Sequence, residues 1–187
     1  MAHRVLVDAC VLFSRLLRDQ LFLLKQASGG GMFTLAGTCD ILAETVYSIR
    51  RKRPDMTGGQ ISRIDKLIRE NLDEMIEEFE PHEFPGSDID DSHVHSAAIS
   101  AKVDIVLTAD AGWATAGVVD YDVYSPDQFF SLVHDSAPDV SGLALDKQIA
   151  YWHKKSPDGV NLVERFRAAE CPEYALRAHQ YLLQTRL

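Results

Sequence analysis

Long apolar runs are missing from this sequence. No stretch approaches the roughly 20 consecutive apolar residues that cross a bilayer, and the opening residues MAHRVLVDAC lack the apolar core of a secretory leader. No membrane contact is expected, and the expected location is the cytoplasm. Cysteine is scarce: Cys10, Cys39 and Cys171 are odd in number, far apart, and form no C-x-x-C pair. That pattern offers no disulfide framework and no structural zinc site, so all three are expected as buried thiols. Positive charge is short as well, 19 Lys+Arg against 28 Asp+Glu for a net charge of −9. Such a balance speaks at first against a nucleic-acid partner, since cations drive phosphate binding. Its distribution removes the objection. Ten acids and one base lie between Arg69 and Asp91, so that segment alone carries −9 and the remainder is neutral. By itself the stretch Glu70 to Glu83 reads as a solvated helix face, or as a surface that steers metal ions or a basic partner.

What is present is an ordinary globular composition. The 187 residues, 46% hydrophobic and 25% charged, suffice for one sizeable core with a small appended module. Arg4 to Asp8 (RVLVD) is a short apolar run ending on an acid, as buried parallel strands often do. Leu12, Leu16, Leu17, Leu21 and Leu24 recur at helical spacing, as one or two helices, until Ser28-Gly29-Gly30-Gly31 breaks the pattern. Phe33 to Ala36 reads as a strand. Asp40 is placed to cap a helix through Ile41, Leu42, Val46 and Ile49 that closes in the basic run Arg50 to Arg53. Thr57 with Gln60 forms a capping-box pattern before an amphipathic stretch expected through about Glu78.

Ser87 or Asp88 opens a helix to about Lys102, then Val103 to Thr108 reads as a strand with Asp110 just past its end. Asp120 to Val123 is a last short strand, and Ser125-Pro126-Asp127-Gln128 is a strong helix start. Alternating strands and helices predict an α/β domain with a mainly parallel sheet. It is expected over 1–134, followed by a linker over 135–143 and a helical C-terminal extension over 144–187, with helices near 144–155, 160–169 and 172–185.

Acids just past buried strands are informative, because open α/β sheets bind ligands outside the carboxyl ends of their strands. Asp8 and Asp110 occupy that position. Glu44, three residues from both Ile41 and Tyr47, borders an apolar helix face. Asp88 and Asp91 share a first helical turn, where the dipole favours negative charge. Each acid alone also fits an ordinary turn or cap. Four carboxylates from separate segments, however, repel by roughly 4 kcal/mol per pair at about 4 Å and an effective dielectric near 20. A divalent cation offsets that repulsion, and oxygen donors without a Cys or His pair favour Mg²⁺ or Mn²⁺ over zinc. Such ions suit phosphodiester hydrolysis.

In this order and context the segments resemble the PIN-domain family, and within it the VapC-type toxins of bacterial toxin–antitoxin pairs. VLVDACVLFS (Val5 to Ser14) looks like the family's opening strand and helix, DILAETVYSIRRK (Asp40 to Lys52) its glutamate segment, DIDDSHVHSAAISAKVDIVLTAD (Asp88 to Asp110) its third block, and YSPDQFF (Tyr124 to Phe130) its final helix start. The resemblance spans about residues 4–134 and implies a PIN-like three-layer α/β sandwich that cleaves RNA with Mg²⁺ or Mn²⁺. It implies Asp8, Glu44, Asp91 and Asp110 as catalytic metal ligands, with Asp88, Ser14, Thr108 and His93 behind them. As partners it implies an RNA substrate and a cognate antitoxin, with a homodimer possible.

Other features are weaker. His93 and His95, two apart, do not share a helix face, which argues against a zinc pair. The Ser28 to Gly31 loop lacks the G-K-[ST] ending of a phosphate loop. Arg50, Arg51, Lys52 and Arg53 either grip RNA phosphates or simply solvate a helix end. Two other functions remain open: RNA maturation by a PIN nuclease with no toxin role, and a non-catalytic interaction module. A phosphoacceptor receiver domain would need a lysine closely following Val123, and none is there.

Overall fold

The computed structural model describes residues 2–86, 89–115, 119–155 and 160–185. Its contacts divide the chain into two compact units, Met1–Ser14 with Phe33–Tyr124, and Arg15–Met32 with Ser125–Leu187.

The first unit is built on a five-stranded, wholly parallel sheet: β1 (His3–Val7), β2 (Phe33–Thr38), β3 (Glu74–Ile76), β4 (Ile105–Leu107) and β5 (Asp122–Tyr124). The order across the sheet is β3-β2-β1-β4-β5, so β1 is central, with Val5 opposite both Leu35 of β2 and Ile105 of β4. Val5, Leu6 and Val7 are fully buried, because helices cover parallel strands on both faces and every side chain must be apolar. Around the sheet run α1 (Ala9–Phe13), α3 (Cys39–Lys52), α4 (Gly58–Asn71) and α5 (Ser92–Ala101). The expected α/β class and parallel sheet are observed.

Local departures have physical causes. Thr38, not Asp40, caps α3, its hydroxyl accepting from Ile41 N–H at 3.1 Å. Asp40 sits inside the first turn, where its charge still meets the helix dipole. Thr57 and Gln60 form the expected capping box, but α4 stops at Asn71, and residues expected to extend it to Glu78 form β3 instead. Asp73 makes that switch: its N–H donates to Leu35 O (2.8 Å) while its Oδ2 accepts from Leu35 N–H (2.8 Å), tying the chain to the sheet edge. Helix α5 begins at Ser92 after a 3-10 turn over Ile89–Asp91. The expected start at Ser87 or Asp88 lies outside the described residues.

The second unit is helical: α2 (Arg15–Ala27), α6 (Pro126–Ser136), α7 (Pro138–Lys155), α8 (Leu162–Ala168) and α9 (Pro172–Thr185). Residues 135–143, expected as a linker, are helical apart from Ala137 between α6 and α7. Pro138 suits a first helical turn because its missing N–H would have had no partner there. Tyr174 anchors this core. It is fully buried, its ring lies against Phe130 and Phe166, and its hydroxyl accepts from Gln20 Nε2 at 2.6 Å. Asp127 of α6 accepts from the Tyr174 and Glu173 N–H groups at 2.7 and 3.2 Å, satisfying donors that α9 cannot satisfy itself. Among the described residues, no helix is long and apolar enough to cross a membrane.

Candidate active site

The strand order reverses direction at β1: the chain steps outward to β2 on one side and later to β4 on the other. Open α/β sheets bind ligands beyond the carboxyl ends of their strands at such a point, and Asp8 and Thr108 stand there. Asp8 N–H donates to Leu107 O at 3.0 Å and Thr108 N–H to Tyr124 O at 3.1 Å, so ladder bonds continue past the strands and set the two residues side by side. The Asp8 side chain caps α1 through Oδ1, which accepts from Ala9 N–H at 2.6 Å. Its Oδ2 accepts from Thr108 Oγ1 at 2.7 Å and from Cys10 Sγ at 3.0 Å. Asp8 is only 4% exposed; a carboxylate buried this deeply survives because each oxygen is hydrogen-bonded.

Thr108 does more than support Asp8. Its Oγ1 also accepts from Asp110 N–H at 3.0 Å, which turns the loop, and Asp110 Oδ1 in turn accepts from Gly112 N–H at 2.6 Å. Asp110 itself is exposed. Replacing Thr108 by Val keeps the shape and removes both bonds, so it is expected to cost about 1–2 kcal/mol of stability. Thermal unfolding checks this; a variant as stable as the parent would show that the hydroxyl bridges nothing of consequence.

Glu44 and His93 form a second pair. His93 Nδ1 lies 2.7 Å from Asp90 O, and since a carbonyl only accepts, Nδ1 carries the proton and the neutral ring has its lone pair on Nε2. Nε2 is shielded from solvent, has no hydrogen-bond partner among the described residues, and lies 3.8 Å from Glu44 Oε2. A carboxylate oxygen and an imidazole nitrogen this close are both candidate donors to a cation. Two residues earlier, Asp91 precedes α5 without bonding to its N–H groups. It lies close enough to Tyr121 that, after burial, its charge is the next cause raising the phenol's pKa.

The expected acids therefore fall into linked groups: Asp8 with Thr108 and Asp110, and Glu44 with His93. Among the described residues, no three His, Cys, Asp or Glu side chains are gathered to hold a metal ion as they stand. The donor set nonetheless fits a hard divalent cation: carboxylate oxygens, one of them deeply buried, and a shielded imidazole nitrogen with its tautomer set by a backbone carbonyl, the support that metal-binding histidines usually have. Asp88 lies outside the described residues, and Ser14 ends α1 half-buried.

The basic run is largely engaged. Arg53 forms a two-pronged pair with Asp55 (3.1 and 3.0 Å), Arg50 donates to Met56 O at 2.7 Å, and Lys52 lies over the Phe13 ring at 5.1 Å. Arg51 is exposed. An open acidic groove of about 600 Å³ beside β3, lined among others by Asp40, Glu77, Phe79 and Glu80, shares a helix face with Glu44, four residues beyond Asp40.

Cys10 was not expected at the site. Of the three thiols Cys171 is buried, Cys39 exposed and Cys10 half-buried. Cys10 donates to Asp8 and accepts from Ala109 N–H at 3.1 Å, fastening the end of β1 to the loop after β4. Burial, then the Asp8 charge, pushes its thiol pKa well up, so it stays a donor. The signal available was its place two residues after Asp8 at the start of a helix. Also missed was the ring cluster of Phe84, His95, Trp113 and Tyr121, in which His95 Nδ1 and Tyr121 Oη are 2.6 Å apart.

Residues 4–112, more than half of the chain, match the PIN domain. The chain belongs to the PIN-domain family, whose members are in general nucleases that act on RNA and typically use divalent metal ions. Among curated proteins and among solved structures nothing matches it.

Proposed function

We propose that this PIN domain is an endoribonuclease dependent on Mg²⁺ or Mn²⁺, and that it serves as the toxin of a type II toxin–antitoxin pair. The observation that carries the nuclease reading is the buried Asp8 carboxylate, held by Thr108 across the switch point of the sheet. Asp8, Glu44, Asp91 and Asp110 would hold the ion, with His93, Thr108, Ser14 and Asp88 behind them. A divalent cation, when bound, supplies water activation near neutral pH and charge stabilisation at the phosphate. The chain's own residues supply order: Thr108 and Cys10 fix the direction of Asp8 Oδ2, and Asp90 O fixes the tautomer of His93. Pre-set donors spend less entropy when a ligand arrives.

The toxin role is supported by the resemblance of the three acidic blocks to VapC-type toxins; its partners would be an RNA substrate and a cognate antitoxin protein, in the cytoplasm. Titration with Mn²⁺, read by the loss of the free ion's EPR signal, is expected to show binding, and Asp8→Asn is expected to weaken it at least tenfold, roughly 1.4 kcal/mol. Purified protein should cut total RNA with Mg²⁺ or Mn²⁺ and stop on chelation. Absence of both ion binding and cleavage would make the chain an interaction module. Production of the protein alone should arrest growth and be rescued by a small neighbouring gene product; tolerated production would point to RNA processing instead.

A further inference from the structure

The two units carry very different charge. The sheet unit has nineteen acids and nine bases, the helical unit nine acids and ten bases. An RNA chain is repelled by the first balance and not by the second. Within the helical unit, α7 ends in Tyr151-Trp152-His153-Lys154-Lys155. A helix dipole explains lysines at its own carboxyl end, but it does not draw in cations from other helices. Arg165 of α8 lies with its Cζ 4.1 Å from the Trp152 ring centre, and Arg15 of α2 lies 5.3 Å from Trp152 and 5.1 Å from Tyr151. Arg15 also donates to the Tyr151 hydroxyl, and Lys155 Nζ is 5.8 Å from the Tyr151 ring. Three helices thus converge their cations on two neighbouring rings.

A guanidinium fixed by a ring is ordered without being neutralised. Arg165 rests on its ring in this way and Arg15 on both its rings and Asp19, whereas Arg177 and Arg167 of the same unit are held by carboxylates of Asp135, Glu173 and Glu164. Among the described residues Asp19 lies against the cluster, 3.5 Å from Arg15 Nε, beside exposed Arg15, Lys154, Lys155 and Arg165. Planar guanidinium groups pair with phosphates through two N–H donors and stack against unpaired bases.

We propose that Arg15, Lys155 and Arg165, arrayed on Tyr151 and Trp152, form a contact for single-stranded RNA in the helical unit. The contact's chemistry stands on this cluster; naming RNA as its ligand rests on the ribonuclease reading. This is a contact the sequence did not reveal, because Arg15, Tyr151, Trp152 and Arg165 lie in three separate helices and only packing brings them together.

The test uses the full chain in EDTA with a fluorescein-labelled, mixed-sequence RNA of about 15 nucleotides, read by anisotropy across a series of salt concentrations. Each of Arg15→Gln, Lys155→Gln and Arg165→Gln is expected to weaken binding about three- to tenfold and to lower the salt slope by about 0.7. The triple variant is expected to lose measurable binding while remaining folded by circular dichroism. A folded triple variant that binds as the parent does would overturn the proposal; continued Mn²⁺-dependent cleavage by that variant would leave the nuclease reading standing. Conversely, RNA bound through the cluster but left uncut in the presence of Mg²⁺ and of Mn²⁺ would overturn the nuclease reading and leave the contact. Duplex DNA or phosphatidylserine vesicles that displace the RNA at equal or lower concentration would overturn single-stranded RNA as the ligand.

Discussion

Asp8→Asn is expected to reduce RNA cleavage by about a thousandfold, a loss of roughly 4 kcal/mol of transition-state stabilisation. The change is nearly isosteric. Oδ1 keeps its bond from Ala9 N–H, while the amide nitrogen replaces the oxygen that accepts from Thr108 and Cys10. The Thr108 hydroxyl can rotate to accept instead, so the folding cost should stay near 1–2 kcal/mol. The negative charge, however, is gone, and an amide is a poor ligand for a hard cation. Activity should therefore fall far more than stability. Single-turnover cleavage of a labelled RNA, beside thermal melts of both proteins, separates the two effects. Cleavage within a few-fold of the parent would remove Asp8 from the reaction and with it the proposed site.

The largest stability effect is expected at Leu6. This side chain is fully buried in the central strand, and its backbone pairs with Ala36 on one side and Val106 on the other. Leu6→Ala removes apolar contacts from a place where two neighbouring strands prevent the backbone from collapsing into the gap. The expected loss is about 3–4 kcal/mol, equivalent to roughly 10 °C in melting temperature for a chain of this size. Denaturant unfolding measures it. A loss under about 1 kcal/mol would mean that β1 is not the packed centre of the sheet.

Much of the architecture was legible from residue pattern. The apolar runs ending at Asp8 and Thr108 marked buried parallel strands, and the capping boxes at Thr57 and Ser125 marked helix starts that are observed. The paired break around Phe13 gave two helices, α1 and α2, as the leucine spacing allowed. Failures came where a tertiary contact overrode a local pattern. The acidic stretch after Asn71 has helical periodicity, yet the two hydrogen bonds between Asp73 and Leu35 recruit it to the sheet. The segment 135–143, linker-like in composition, is helical because its buried face, Ser141 and Gly142, packs within the helical unit.

The candidate site divides the same way. Sequence by itself determined which residues are candidates for the chemistry, since charge, strand-end position and block order depend only on the order of residue types, and those carried the family as well. The tertiary structure alone decided how they are linked. Thr108 meets Asp8 across a hundred residues, Cys10 became a donor to the buried carboxylate, and His93, expected behind the acids, stands 3.8 Å from Glu44. It also decided which cations gather, bringing Arg15 and Arg165 from separate helices to the Tyr151 and Trp152 rings. Distances between segments remote in sequence are set by packing, and no local spacing rule contains them.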